Sequence, residues 1–225
     1  MIENLKINKE EVLRYLCCTK EFKDEKIEKL INSTIDEVKN IVKPKYVYQT
    51  FEIEHTKEGV NFLGTNLKLE GKDIKKHLSL SKTCSLMAAT LGYDLDRKIS
   101  LYEKTNMTKA IIMDACGTAA IEELCDNIEN CIKKEGEKKN LNITYRYSPG
   151  YGDLDLNVQK DFLNVVQWKK NVGISLSYNI MAPRKSVTAI IGFISMDSKI
   201  EKKNCTKCNK YNECIYRKLG GSCEN

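Results

Sequence analysis

The sequence predicts an α+β fold, and three observations carry that expectation. Helical and extended patterns mix along the chain without the strict alternation of a parallel α/β sheet. Residues 106–135 hold a long apolar stripe at helical spacing: Ile111, Ala115, Ala119, Ile121, Leu124, Ile128 and Ile132. Residues 186–196, Ser-Val-Thr-Ala-Ile-Ile-Gly-Phe-Ile-Ser-Met, form the most hydrophobic extended run. With 225 residues, 41% hydrophobic and 30% charged, the chain has ordinary globular composition and can bury a core.

Taken in order, residues 8–16 read as a short amphipathic helix, with Asn8 as N-cap and Glu11 completing a capping box. Residues 24–42 read as a second helix, with Ile27, Leu30, Ile31, Ile35, Val38 and Val42 on one face. Pro44 ends it, because Lys43 before a proline is pushed out of helical geometry. Residues 45–54 switch to alternating β-branched and aromatic side chains, a strand. Two short strands follow around Gly64 within 59–70, and a short helix spans 71–78. Residues 83–90 are a buried strand, followed by a helix to about Glu103. The helix over 106–135 stops at Gly136. Residues 142–147 form a strand that enters a proline- and glycine-rich loop. Residues 157–168 look helical, 172–178 extended, and 186–196 form the last strand. Residues 1–196 are expected to make one domain, and residues 197–225 a polar, cysteine-bearing tail.

Charge and hydropathy exclude several function classes. The net charge is +6, from 37 basic and 31 acidic residues, without the concentrated basic face and interleaved aromatics of a nucleic-acid binder. No apolar run approaches the roughly 20 residues needed to cross a bilayer. The N-terminal segment lacks the apolar core of a signal peptide, so a cytoplasmic location without a membrane partner is expected. Cys17, Cys18, Cys84, Cys116, Cys125 and Cys131 are scattered through apolar segments, where cysteine acts as a small hydrophobe. The remaining four crowd into the tail.

The most informative stretch is Arg146-Tyr147-Ser148-Pro149-Gly150-Tyr151-Gly152-Asp153. An arginine leaves a strand, a tight turn follows, and an aromatic ring comes next. Arginine's planar fork of donors suits a carboxylate. Glycines let a ligand approach the main chain. By spacing alone, an ordinary strand-to-helix turn with a surface arginine is the stronger reading. A second stretch, Met181-Ala182-Pro183-Arg184-Lys185-Ser186-Val187, leads directly into the last strand.

Together these segments resemble the S-adenosylmethionine-binding reactivation domain of cobalamin-dependent methionine synthase, in the free-standing single-domain form found in anaerobic bacteria. EVLRYL at 11–16, GKDIKKHL at 71–78, LMAATLG at 86–92 and DACGTAAIEELCD at 114–126 add to the likeness, which spans roughly residues 5–195. The resemblance implies a mainly antiparallel mixed sheet with flanking helices. It places Arg146 at the methionyl end of the ligand, Ser148, Gly150 and Tyr151 along the adenosine side, and Ser186 and Val187 near the same cleft. Methionine synthase has Gly-Tyr-Pro in this loop. Here the third position is Gly152, which is expected to loosen it.

The resemblance also implies a role. Cob(I)alamin is occasionally oxidised to inactive cob(II)alamin, and reduction coupled to methylation by S-adenosylmethionine restores it. The protein holds the sulfonium methyl in line, a positioning effect, while the corrinoid supplies the hard chemistry. If the chain is a catalyst, it is a methyltransferase serving methionine biosynthesis. No general base is needed, and a surface or packing role is expected for both His55 and His77. The chain carries no corrinoid-binding Asp-x-His-x-x-Gly sequence, so cobalamin is expected on a partner, methionine synthase or a related corrinoid protein. An ordinary small-molecule methyltransferase is disfavoured by the lack of a Gly-x-Gly loop after a first strand.

In the tail, Cys205-x-x-Cys208 is followed by Cys214 and Cys223, a four-thiolate set. Three readings compete: a [4Fe–4S] cluster that relays an electron, a structural zinc site, and a flexible tail of free thiols, which the density of cysteines disfavours. The reductive chemistry and nearby Lys207, Lys210 and Arg217 favour the cluster, with an electron donor such as flavodoxin or ferredoxin. The alternative function is an iron–sulfur or zinc electron-transfer module acting on a corrinoid protein.

Overall fold

Helix ends follow local chemistry. The computed structural model describes residues 5–18, 24–198, 211–213 and 217, and only the backbone of 168 and 169. Helix α1 (Lys9–Tyr15) starts at Asn8, whose side chain accepts from the Glu10 amide at 2.8 Å. Glu11 does not close the expected capping box; its carboxylate pairs with Arg14 one turn on. Helix α2 (Glu25–Ile41) is capped by Asp24, which accepts from the amides of Lys26 and Ile27. It buries Ile31, Thr34, Ile35 and Val38.

Strands β1 (Lys45–His55), β2 (Gly59–Phe62) and β3 (Lys68–Glu70) precede the short helix α3 (Lys72–His77). Then come β4 (Thr83–Thr90), α4 (Tyr93–Thr105) and the 31-residue α5 (Met107–Glu137). Two expectations about α5 are corrected. Ile111 is exposed, and the neighbouring Ala110, Ile112 and Met113 are buried instead. Gly136 does not end the helix but lies in its last turn, where a Cβ would press on the Leu141 carbonyl and the Phe193 ring at 3.1 Å. The left-handed residue beyond the helix is Asn140, with φ +57°.

Strand β5 (Leu141–Ile143) is shorter than the expected 142–147. A 3₁₀ turn at Leu156–Val158 leads into α6 (Gln159–Val165), followed by α7 (Trp168–Asn171). Strands β6 (Ser175–Ser177) and β7 (Ile180–Ala182) form a separate antiparallel hairpin. Tyr178 and Asn179 at its tip have φ of +46° and +64°. Both central residues are thus left-handed, as a type I′ turn requires. The sequence pattern predicts a single strand over 172–178; the fold makes a hairpin instead.

With β8 (Ser186–Ser195) the main sheet has six strands in the order β3-β2-β1-β4-β8-β5. Strand β2 runs antiparallel to β1 and β3, and β5 antiparallel to β8. Strands β4 and β8 sit inside the sheet and are buried along nearly their whole length, which is why they read as continuous apolar runs. The α+β class and its mainly antiparallel sheet are therefore as expected.

The chain divides into two compact units. The first comprises Met1–Val47, Ala88–Ile128 and Trp168–Val187, and buries Val12, Ile31, Leu95, Met113 and Leu124. The second comprises Tyr48–Met87, Glu129–Gln167 and Thr188–Asn225, and buries Phe62, Leu69, Ile74, Phe162 and Ile190. Among the described residues no helix is long and apolar enough to cross a membrane.

Candidate functional site

The loop after β5 is built by interrupting a strand. The Thr144 amide donates to the Gly192 carbonyl at 2.9 Å, while the Gly192 amide turns to the Thr144 hydroxyl at 2.9 Å. This side-chain bond replaces a backbone rung, so regular pairing stops at Ile143. Tyr147 rejoins β8 through two bonds with Ile190. The chain then turns. Pro149 stands at the second position and Gly150, with φ +88°, at the third. The Tyr151 amide donates to the Ser148 carbonyl at 3.0 Å. Proline followed by a left-handed glycine is the chemistry of a type II turn.

A second turn closes the loop. The Leu154 amide donates to the Tyr151 carbonyl at 3.0 Å, and the Gly150 amide to the Leu154 carbonyl at 2.9 Å. The buried Tyr147 hydroxyl donates to the same Tyr151 carbonyl at 3.0 Å. Burial pushes the Tyr147 phenol well above its ordinary range, and the Asp73 and Asp153 carboxylates push it further. It therefore stays protonated as a donor. Leu154 is buried beneath the loop, whereas the Tyr151 ring is half exposed.

Arg146 carries the charge at the base of the loop. Its Nη1 lies 3.0 Å from Glu129 Oε2 on α5, with the arginine side chain only 11% exposed. Glu129 was not read from the sequence, because no local spacing ties it to Arg146. His77 packs as expected: its ring lies 4.5 Å from Tyr145 and 4.9 Å from Tyr147, and Nε2 is 3.1 Å from the Thr144 hydroxyl. His55 Nε2 lies 2.9 Å from the Ser81 carbonyl. The loop thus sets out a guanidinium paired with a carboxylate, a half-exposed aromatic ring at Tyr151 and an exposed glycine at 150.

The expectation that Gly152 loosens the loop is overturned. Its φ is +53°, and a Cβ there would collide with the Asp73 carboxylate and the Tyr147 hydroxyl. Glycine is demanded by close approach and by backbone geometry.

Arg146, Ser148, Gly150 and Tyr151 share one loop in the second unit, whereas Ser186 and Val187 belong to the first. There the buried Ser186 hydroxyl donates to the Pro183 carbonyl at 2.7 Å and lies 2.8 Å from Thr90 Oγ1. It ties the start of β8 to the end of β4. Val187 beside it is half-buried. Lys185 reaches Asp114 at 2.9 Å and the Thr118 hydroxyl at 2.8 Å.

Cys205, Cys208, Cys214 and Cys223 lie outside the described residues. Among the described residues no group of three or more His, Cys, Asp or Glu side chains is arranged to hold a metal ion. Cys84, Cys116 and Cys125 are buried, and burial raises the Cys116 thiol to about 12, as befits core cysteines.

No family model matches the chain, and no curated protein matches it. Among solved structures, the chain is similar to a crystal structure of the MetH reactivation domain bound to AdoHcy, with a TM-score of 0.59. The match covers 88% of this chain and 74% of that one at 15% sequence identity. The six-stranded sheet and its flanking helices thus have the fold of that reactivation domain.

Proposed function

We propose that this chain binds S-adenosylmethionine and supports reductive methylation of cob(II)alamin on a separate corrinoid methyltransferase, with methionine synthase as the partner. The observation that carries the reading is the fold likeness to a reactivation domain bound to AdoHcy across most of the chain. The loop fits such a ligand in kind. A guanidinium suits the methionyl carboxylate. The exposed Tyr151 ring suits a purine or sugar face. In this reading residues 1–196 form the binding domain, with Arg146, Ser148, Gly150 and Tyr151 of the second unit meeting the ligand.

The protein's own residues bind and orient. Arg146 anchors the amino-acid end, the loop backbone and Tyr151 hold the nucleoside, and the sulfonium methyl is thereby aimed at the partner's cofactor. When bound on the partner, the corrinoid supplies the nucleophilic cobalt. The tail thiolates Cys205, Cys208, Cys214 and Cys223 have the donor chemistry for a [4Fe–4S] cluster or zinc. A cluster held there would take its electron from a donor of the flavodoxin or ferredoxin kind, whereas zinc, having no redox chemistry, would be structural.

Calorimetry tests the central claim. The protein is expected to bind S-adenosylmethionine, and Arg146→Ala to weaken binding about tenfold or more, the loss of a charge-assisted contact. No heat of binding at millimolar ligand would sink the reading. The same protein, purified without oxygen, tests the tail. Visible iron–sulfur absorbance that Cys208→Ser abolishes supports a cluster, and its absence with bound zinc supports the structural site.

A further inference from the structure

We propose that Asp153 is a positioning residue that latches the Arg146–Leu154 loop onto helix α3 and so fixes the shape in which the loop takes its ligand. The inference rests on the S-adenosylmethionine reading for the ligand, and on geometry within the second unit for the latch.

Helix α3 begins without a cap of its own. Its N-cap position is Gly71, which has no side chain to accept from the first amides. Those amides are left without intrahelical partners by the geometry of any helix start. Asp153, about eighty residues further along, supplies what is missing. One carboxylate oxygen accepts from the Lys72 amide at 2.7 Å, and the other from the Asp73 amide at 3.0 Å. Both bonds are assisted by the carboxylate charge.

Two glycines make this approach possible. Gly71 has φ +144°, and a Cβ there would come within 2.5 Å of Asp153 Oδ1. Gly152 has φ +53°, and a Cβ there would run into the Asp73 carboxylate. Gly71-Lys72-Asp73 and Gly152-Asp153 thus interlock, each glycine admitting the other segment's aspartate. The far end of α3 holds the loop's other flank, because His77 packs against Tyr145 and Tyr147. Tyr147 in turn holds the Tyr151 carbonyl. One short helix therefore grips the loop on both sides of the type II turn, and Asp153 need not touch the ligand to decide its fit.

The test combines S-adenosylmethionine calorimetry with amide hydrogen exchange on the parent, Asp153→Ala, Asp153→Asn and Gly152→Ala. Asp153→Ala is expected to weaken binding about fivefold, the typical effect of a lost cap. It should also speed exchange at the Gly150 and Tyr151 amides while the β5–β8 amides keep their protection. Asp153→Asn, which retains one carbonyl acceptor, should recover part of both effects. Gly152→Ala should act in the same direction while leaving the carboxylate in place, and it carries the comparison if Asp153→Ala does not fold. Parental affinity in Asp153→Ala, or unchanged loop exchange, overturns the latch. A parent protein that fails to bind, with a loop still freed in Asp153→Ala, overturns the ligand reading and leaves the latch standing.

Discussion

Gly152 shows how a single residue can be constrained from two directions. Its backbone sits at φ +53°, and the space a Cβ would need is taken by Asp73 and Tyr147. Proline locks φ near −65° and adds ring atoms where none fit. Gly152→Pro is therefore expected to cost about 3 kcal/mol or more, combining backbone strain with overpacking. The shift of the urea midpoint measures it, and a variant as stable as the parent would show that the loop accepts a quite different path. The turn itself was legible from Ser148-Pro149-Gly150-Tyr151, because proline then glycine encodes it locally. Glu129 beside Arg146, and Asp153 on the α3 amides, were not legible. Those partnerships join segments that only the fold brings together.

Elements with one strong pattern are legible nearly to the residue: α2, whose buried positions repeat at helical spacing, and β4, a continuous apolar run buried along nearly its whole length. Misreadings fell where tertiary contact overrode local preference. Gly136 looked like a stop signal but serves close packing inside α5, against the Leu141 carbonyl and Phe193. Replacing an exposed helical glycine by alanine ordinarily stabilises by about 1 kcal/mol. Here the added methyl meets a carbonyl on a paired strand and a buried ring, and overpacking costs about 1–3 kcal/mol. Gly136→Ala is accordingly expected to lower stability by about 1 kcal/mol, read from chemical denaturation. A gain instead would mean that the β5 end of the sheet yields freely. The β6–β7 hairpin escaped the sequence reading for a different reason. Its left-handed pair is Tyr178-Asn179, without the glycine that usually announces a type I′ turn.

For the molecule as a whole, fold likeness survives at 15% identity because burial pattern and element order, more than residue identity, define the sheet and its helices. Each unit still needs its own ties, and in the first a charged network supplies one. Glu37 on α2 meets Lys109 of α5 at 2.7 Å, Lys98 of α4 at 3.2 Å and the Tyr102 hydroxyl at 2.9 Å. Burial alone would raise the Glu37 carboxyl, but the hydrogen bonds from Lys109, Tyr102 and Lys98 outweigh it and hold it below its ordinary 4.5. A carboxylate depressed in the folded state contributes stability above its unfolded value and loses it as pH falls through the folded one. Glu37→Gln should therefore lower stability at neutral pH by about 1–3 kcal/mol, the scale of hydrogen bonds to a partly buried charge. On moving from about pH 7 to about pH 3, the variant should lose less stability than the parent, because the linked proton is no longer taken up. Urea titrations of both proteins at the two pH values measure the difference. Equal acid sensitivity would mean that the network is formed but contributes nothing, as many exposed ion pairs do.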